Sequence, residues 1–381
     1  MVAGLLAIAV AGSGAPPPAS ASPATLQAGE AEAIVFLLGD AGKPKGHDDP
    51  VLDSMRADIE AARRDSPNAE VAVAFLGDNV YESGVPERGS SGYEEYVRRL
   101  LAQVDVLGQR SSGNTAPVRG VFVPGNHDWA GNRYDGWRRI LRQDELLTEA
   151  AAARDIEVAL LPAGGCPGPE VVDLSGSVRL IAIDTQWWLR TGPKPIGADS
   201  PCGTQSVEEL LQRLDAQIAG AAGRLVIVLA HHPVASGGPH GGHLAIREWF
   251  WPLYDLIYYP YRKITPPSQD LDSEPYTAMI AGLLEVYAGH SPLLMASGHD
   301  HNLQVIEGDL PRYQLVSGAG SKRRAVDKTA DPRFESLFWN NSNGYMRLSV
   351  HEDGRVLLTV TVVEGGTPRG AFTLWLEGLG S

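Results

Sequence analysis

From Glu32 onward, short runs of aliphatic and β-branched residues end again and again in polar, glycine-containing turns: AIVFLLGD at 33–40, VAVAFLGD at 71–78, GVFVPGNHD at 120–128, VRLIAIDT at 178–185, RLVIVLAHHP at 224–233 and PLLMASGHDH at 292–301. These runs are short and lack apolar/polar alternation, so they predict strands covered on both faces. Between them, 50–64, 92–107 and 206–222 carry helical periodicity, and SVEE at 206–209 has the Ser-x-x-Glu spacing of a capping box. After residue 301 the pattern changes to LQVIE, RYQLVSGAG, GYMRLSV, RVLLTVTVV and AFTLWLE, separated by turn signals such as EGDLPR and EDGR. Helices early and hairpins late predict an α/β fold, a layered sandwich closed by antiparallel strands, as one domain over 31–381.

Residues 1–30 form a separate unit. The apolar run MVAGLLAIAV followed by small residues and proline has signal-peptide length and is too short to span a bilayer. No Lys or Arg precedes it, and the first basic residue is Lys43. We read it as a signal peptide cleaved near Ala21 with a disordered lead-in, and expect an exported (periplasmic or secreted) protein; a low-complexity tail is the alternative. The two cysteines, Cys166 and Cys202, sit in Gly/Pro-rich loops. A bridge between them would accord with an oxidising compartment, two free thiols with a reducing one.

The chain has 46 acidic against 32 basic side chains, a net charge of −14, with only six Lys among the basic residues. Binding extended nucleic acid requires clustered cations, so no nucleic-acid partner is expected. A small phosphorylated substrate remains open, as does oligomeric state, and no stable membrane span is expected.

The residues that follow the strands carry the chemistry. Open α/β sheets place ligands at strand carboxyl ends, and here those ends hold Asp40, Asp78, Asn126 with His127, His231 with His232, and His299 with His301. Any one of these alone is an ordinary turn aspartate or a hydrogen-bonded histidine. Five together bring carboxylate, imidazole and amide donors to one edge, a mixture suited to two hard-to-borderline metal ions with Asp78 as the natural bridge. An all-cysteine zinc site is excluded.

The ordered blocks GDAG (39–42), GDNVYESG (77–84), GNHD (125–128), HHP (231–233) and GHDHNLQ (298–304) resemble the calcineurin-like metallophosphoesterase superfamily, and within it the purple (tartrate-resistant) acid phosphatase branch. The resemblance spans about residues 32–350 and implies a four-layer α-β-β-α sandwich. It implies that Asp40, Asp78, Tyr81 and His301 hold one metal and that Asp78, Asn126, His231 and His299 hold the second. Tyr81, three residues after the bridging Asp, would bind Fe(III) as phenolate, with Fe, Zn or Mn as the divalent partner. The family pattern His-x-Pro assigns His231 rather than His232 as ligand; His232 is left with either a substrate-facing or supporting role or simple filling. His127 matches a residue that contacts phosphate and protonates the leaving group, and His240, nine residues after His231, matches a second catalytic histidine; a mobile loop histidine is the alternative there. Asp128 is expected in hydrogen bonds that either back the ligands or hold the turn. The implied reaction is attack of a metal-bridging hydroxide on the phosphorus of a phosphate monoester, with the histidines assisting the departing alcohol. Fe(III) with a divalent ion against two carboxylates and one phenolate leaves about +2, which attracts a phosphate oxyanion. The alternatives are a phosphodiesterase acting on nucleotides or phospholipid headgroups, and a non-catalytic metal-binding module.

Two further segments lie outside these blocks. EWFWPLYDLIYYPYRK, with its aromatic residues between 249 and 261, has helical spacing interrupted by Pro252. A helix packed on the body, a substrate-facing rim and a membrane or partner surface are all open for it. HEDGR at 351–355 reads as a hairpin turn, which removes His351 from the ligand candidates.

Overall fold

The computed structural model describes residues 30–46, 48–108, 117–241, 269–290 and 293–379. Two seven-stranded mixed sheets pack face to face. The first has the order β14-β13-β12-β1-β2-β3-β4 and the second β11-β9-β10-β8-β7-β6-β5. The first sheet is built from β1 (Ala31–Leu38), β2 (Glu70–Leu76), β3 (Arg119–Val123), β4 (Glu157–Leu160), β12 (Gly344–His351), β13 (Val356–Glu364) and β14 (Thr367–Leu376). The second is built from β5 (Glu170–Leu174), β6 (Val178–Ala182), β7 (Leu225–Leu229), β8 (Leu294–Ser297), β9 (Leu303–Gly308), β10 (Tyr313–Ser317) and β11 (Phe334–Asn340).

Alternate residues of each central strand serve different cores, which is why the runs are apolar throughout. In β1, Ile34, Phe36 and Leu38 face α1 (Pro50–Asp65), α2 (Tyr93–Val104) and α3 (Gly136–Arg154), whereas Ala33, Val35 and Leu37 enter the layer between the sheets. Ile181, Val226 and Val228 of the second sheet meet α5 (Val207–Ala219) and α6 (Glu274–Ala288) in a third cluster. A short α4 (Thr185–Leu189) follows β6. Three apolar clusters separate four layers, and the fold is the expected α-β-β-α sandwich.

Local signals account for the helix ends. Asp49 caps α1, its carboxylate accepting from the Val51 and Leu52 amides, with Pro50 in the first turn. Ser206 caps α5 by accepting from the Glu209 amide, but the Glu209 carboxylate accepts from the Gln205 amide, so the capping box is completed one residue early. The late strands do not form one antiparallel cap. β9, β10 and β11 extend the second sheet, with β10 parallel to β8, while β12, β13 and β14 extend the first, with β12 antiparallel to β1. β12 and β13 are joined across residues 352–355, the expected hairpin turn.

Cys166 and Cys202 form a disulfide with a Cα–Cα distance of 5.4 Å, tying the segment after β4 to the approach of α5. Among the described residues, no helix is long and apolar enough to cross a membrane. The N-terminal segment and the aromatic segment at 249–261 lie outside the described residues. The cysteines are 36 positions apart in sequence, and converting both to Ser is expected to lower unfolding stability by about 3 kcal/mol, measured by guanidinium denaturation.

Candidate metal centre

All five candidate blocks come to one edge of the sandwich, where β1, β2 and β3 of the first sheet and β7 and β8 of the second end side by side. The strands stop one or two residues short of the polar side chains, so sharp turns turn the donors inward. Asp40, Asp78, His299 and His301 all have positive φ (57°, 55°, 72° and 42°), a conformation that costs most side chains of order 1–3 kcal/mol. The surrounding glycines permit close approach. At Gly77, with φ 87°, a β-carbon would lie 2.4 Å from His231 Nδ1.

Two sub-clusters result. In the first, the Tyr81 hydroxyl donates to Asp40 Oδ1 at 2.7 Å and lies 3.0 Å from His301 Nε2, which is itself 3.2 Å from Asp40 Oδ1. Ligand atoms of Asp40, Asp78 and His301 all fall within 4.8 Å of one another. In the second, His231 Nδ1 donates to the Leu76 carbonyl at 2.8 Å, leaving the Nε2 lone pair 3.0 Å from Asn126 Oδ1 and 3.4 Å from Asp78 Oδ1. His299 Nε2 donates to the Gln269 carbonyl at 2.9 Å, leaving Nδ1 as its free lone pair. Lone pairs thus face one another at roughly 3 Å, the spacing of nitrogen and oxygen ligands that share one cation. Asp78 lies between the sub-clusters.

Electrostatics agree with that arrangement. Burial raises the Tyr81 phenol well above its ordinary range, reinforced by the negative charges of Asp40 and Asp78, so without a cation it keeps its proton and donates to Asp40. Burial also holds His299 and His232 well below the usual histidine range, aided by neighbouring histidines; neutral imidazole is the form that ligates. Asp78 is opposed by burial but held below the usual carboxylate range by His231 and His127.

His232 is close enough to be grouped with His231 and His299, yet both of its ring nitrogens are bonded, Nδ1 to Thr185 Oγ1 and Nε2 to Gln269 Oε1, each at 2.8 Å. It ties the start of α4 to Gln269. The two candidate catalytic histidines are more open than the ligands. His127 is 30% exposed, anchored by its amide on Asp78 Oδ1 and by Nδ1 on the Glu82 carbonyl at 2.6 Å. His240 is 28% exposed, stacks on His299 at 4.1 Å and has Nδ1 2.9 Å from Asp270 Oδ1. Asp128 accepts from the amides of Gly125, Asn79 and Val80, the turn role expected of it.

The sequence reading overlooked Gln269, Asp270 and Asp184. Asp184 follows β6 in the run VRLIAIDT, a strand end like the other five, and was the one legible signal. Its buried carboxylate accepts from Trp129 Nε1 and the Trp187 amide. Arg190 lies across the Trp129 ring at 4.4 Å and donates to the carbonyls of Trp129, Gly131 and Arg133, which fixes the loop leaving Asn126 and His127.

With strands of both sheets delivering these donors to one edge, the fold and site define a metallophosphoesterase. The chain belongs to the calcineurin-like phosphoesterase family, which residues 35–303 match, and this is a family of metal-dependent phosphoesterases. More particularly, it is similar to purple acid phosphatases. It is 22% identical over 295 residues to purple acid phosphatase 17 of Arabidopsis thaliana, covering 75% of this chain and 70% of that protein. In fold it resembles PPD1, a purple acid phosphatase from yellow lupin (Lupinus luteus) seeds, with a TM-score of 0.52, 14% identity, and coverage of 90% of this chain but 53% of the lupin chain. It also resembles GAP50, the anchor in the inner membrane complex of Plasmodium, with a TM-score of 0.57, 17% identity, and coverage of 91% of this chain and 89% of that one.

Gly77→Ala is expected to push His231 out of place and weaken zinc binding about tenfold or more, as read by equilibrium dialysis against the wild-type protein. A second expectation concerns pH. Burial pushes the Asp184 carboxyl from 3.8 up to about 7, against the pull of the Trp187 amide, Trp129 and Arg190. Between those values the folded state holds a proton that the unfolded chain releases, so this group's contribution is full below about pH 4 and is lost as pH rises through 7. Asp184→Asn is expected to remove a few kcal/mol of that decline, so that urea unfolding at pH 4.5 and 7.5 shows the variant gaining relative to wild type at the higher pH. Parallel pH profiles would contradict the assignment.

Proposed function

We propose that the protein is an exported binuclear metallophosphatase that hydrolyses phosphate monoesters. The observation that carries this reading is the Tyr81 hydroxyl set between Asp40 Oδ1 and His301 Nε2 at 2.7 and 3.0 Å, a phenol among ligating groups that suits a ferric ion. Asp40, Tyr81 and His301 would hold Fe(III), Asn126, His231 and His299 a divalent Fe, Zn or Mn ion, and Asp78 both. When bound, such a pair acidifies water to a nucleophile and neutralises the phosphoryl oxygens.

The chain's own residues do the remainder. The Leu76 and Gln269 carbonyls hold His231 and His299 in the tautomers that present a lone pair inward. The Glu82 carbonyl accepts a hydrogen bond from His127 Nδ1, so that Nε2 is the nitrogen available to phosphate or to the leaving oxygen. Asp270 orients His240, whose ring stacks on His299. Both rings are partly open to solvent, as groups that exchange protons with a substrate must be. The similarity to purple acid phosphatase 17 supports the monoesterase branch, and the Cys166–Cys202 disulfide supports an oxidising destination.

Asp78→Ala is expected to abolish metal content and activity together, whereas His240→Ala is expected to lower turnover by about a hundredfold or more with metal retained. Metal analysis, a visible spectrum and a monoester/diester panel at pH 5 and 7 check both variants and the wild type. A colourless, active wild-type protein that cleaves only diesters would replace this reading with the phosphodiesterase one.

A further inference from the structure

The buried ring of Tyr81 carries a cation on its face. Lys322 Nζ lies 3.4 Å from the ring centre, well inside the reach of a cation–π contact, and the ring is fully buried while Lys322 is 25% exposed. That position is built into the turn after β10. Gly320 donates its amide to the Gly39 carbonyl, Ser321 donates both its amide and its hydroxyl to the Asp40 carbonyl, and the Arg324 amide donates to the His301 carbonyl. Lys322 therefore sits on a segment stitched to the main chain of Asp40 and of His301, the two residues that flank the Tyr81 hydroxyl. Glu82 Oε2 holds the ammonium at 3.3 Å, but Glu82 Oε1 is taken by Lys43 at 2.8 Å. Two ammonium groups share one carboxylate, which leaves a net positive charge beside the ring.

We propose that Lys322 tunes Tyr81 as a metal ligand, weakening the phenolate as an electron donor and so keeping the ion it holds electron-poor. The inference rests on the ferric-phenolate part of the reading above. Ligation replaces the phenol proton with a metal ion and puts negative charge on the ring that Lys322 already covers. The attraction of the ammonium then acts on an anion rather than on the weaker field of a neutral ring, and at a buried site little water screens it. Electron density is drawn toward the lysine and away from the phenolate oxygen. A ferric ion with a weaker donor is easier to reduce, and an electron needs more energy to pass from a stabilised phenolate to the iron. An electron-poor ion also acidifies water more strongly, which is the chemistry a phosphatase asks of it.

Visible spectroscopy and a potentiometric titration of the iron-loaded full chain, with iron per chain measured in parallel, test this in the wild type, Lys322→Gln, Lys322→Met and Lys322→Arg. Both neutral variants are expected to move the phenolate-to-iron absorption band to longer wavelength. At a fixed potential they are expected to lower the ratio of Fe(II) to Fe(III) about tenfold, roughly 59 mV for a one-electron couple. Lys322→Arg, which keeps a cation able to lie on an aromatic face, is expected to keep both values near those of the wild type. Neutral variants that bind iron with the wild-type band and potential overturn the tuning role. So does loss of iron from the neutral variants, or a Lys322→Arg protein that follows them, since a lysine that only held its turn would produce either result. A wild-type protein that binds iron without such a band overturns the ferric-phenolate reading itself, which keeps the two failures apart.

Discussion

The structure depends on bringing acceptor atoms together where they repel. Five strands drawn from two sheets end at a common edge, and their turns press two carboxylates, a phenol, an amide and three imidazoles into a buried space. Four of the residues adopt left-handed backbone, and the lone pairs of Asn126 and His231 face each other at 3.0 Å. Taking so many polar atoms out of water into one space is costly unless each finds a partner there. The arrangement is maintained because the turns are continuous with strands whose apolar residues are fixed in the cores, and because glycine lets neighbouring turns interlock.

A second shell of structure transmits that rigidity. Asp128 collects the amides of Gly125, Asn79 and Val80, joining the turns after β2 and β3. Asp300 does the same for the His240 loop: it accepts from the His240 amide and from Ser236 Oγ, while Gln304 binds Ser236 and the Gly237 amide. His232 and Gln269 link the start of α4 to His299. Buried polar groups of this kind limit alternative packings only when each is bonded. Among the described residues these networks hold His127 beside Asp78 and Tyr81 and His240 against His299.

The sequence reading reached the central strands and every candidate ligand because each strand end announces itself locally: a continuous apolar run, then Gly and a donor. It could not reach elements whose character is tertiary. β5 has mostly half-buried residues and β11 a shifted register against β9, so neither shows a clean period. The division of the late strands between two sheets depends on pairing over long distances, as in β1 with β12. Gln269 follows no strand and stands in no motif, so its contacts to His299 and His232 leave no local signature. His232, undecided from sequence, is explained by the contacts that occupy both its nitrogens.

The distribution of the donors along the chain bears on how the protein reaches its native state. The His299 amide binds Asp40 across a separation of 259 residues, and Tyr81 meets His301 across 220. Contacts of such span form late, after the loops between them have closed, and they slow folding relative to a helical protein of the same length. No fragment of the chain contains a working set of ligands. An ion held there would be a non-covalent cross-link between the first and last thirds of the polypeptide, acting after the sheets have docked, and its off-rate would set a floor under the lifetime of the folded molecule.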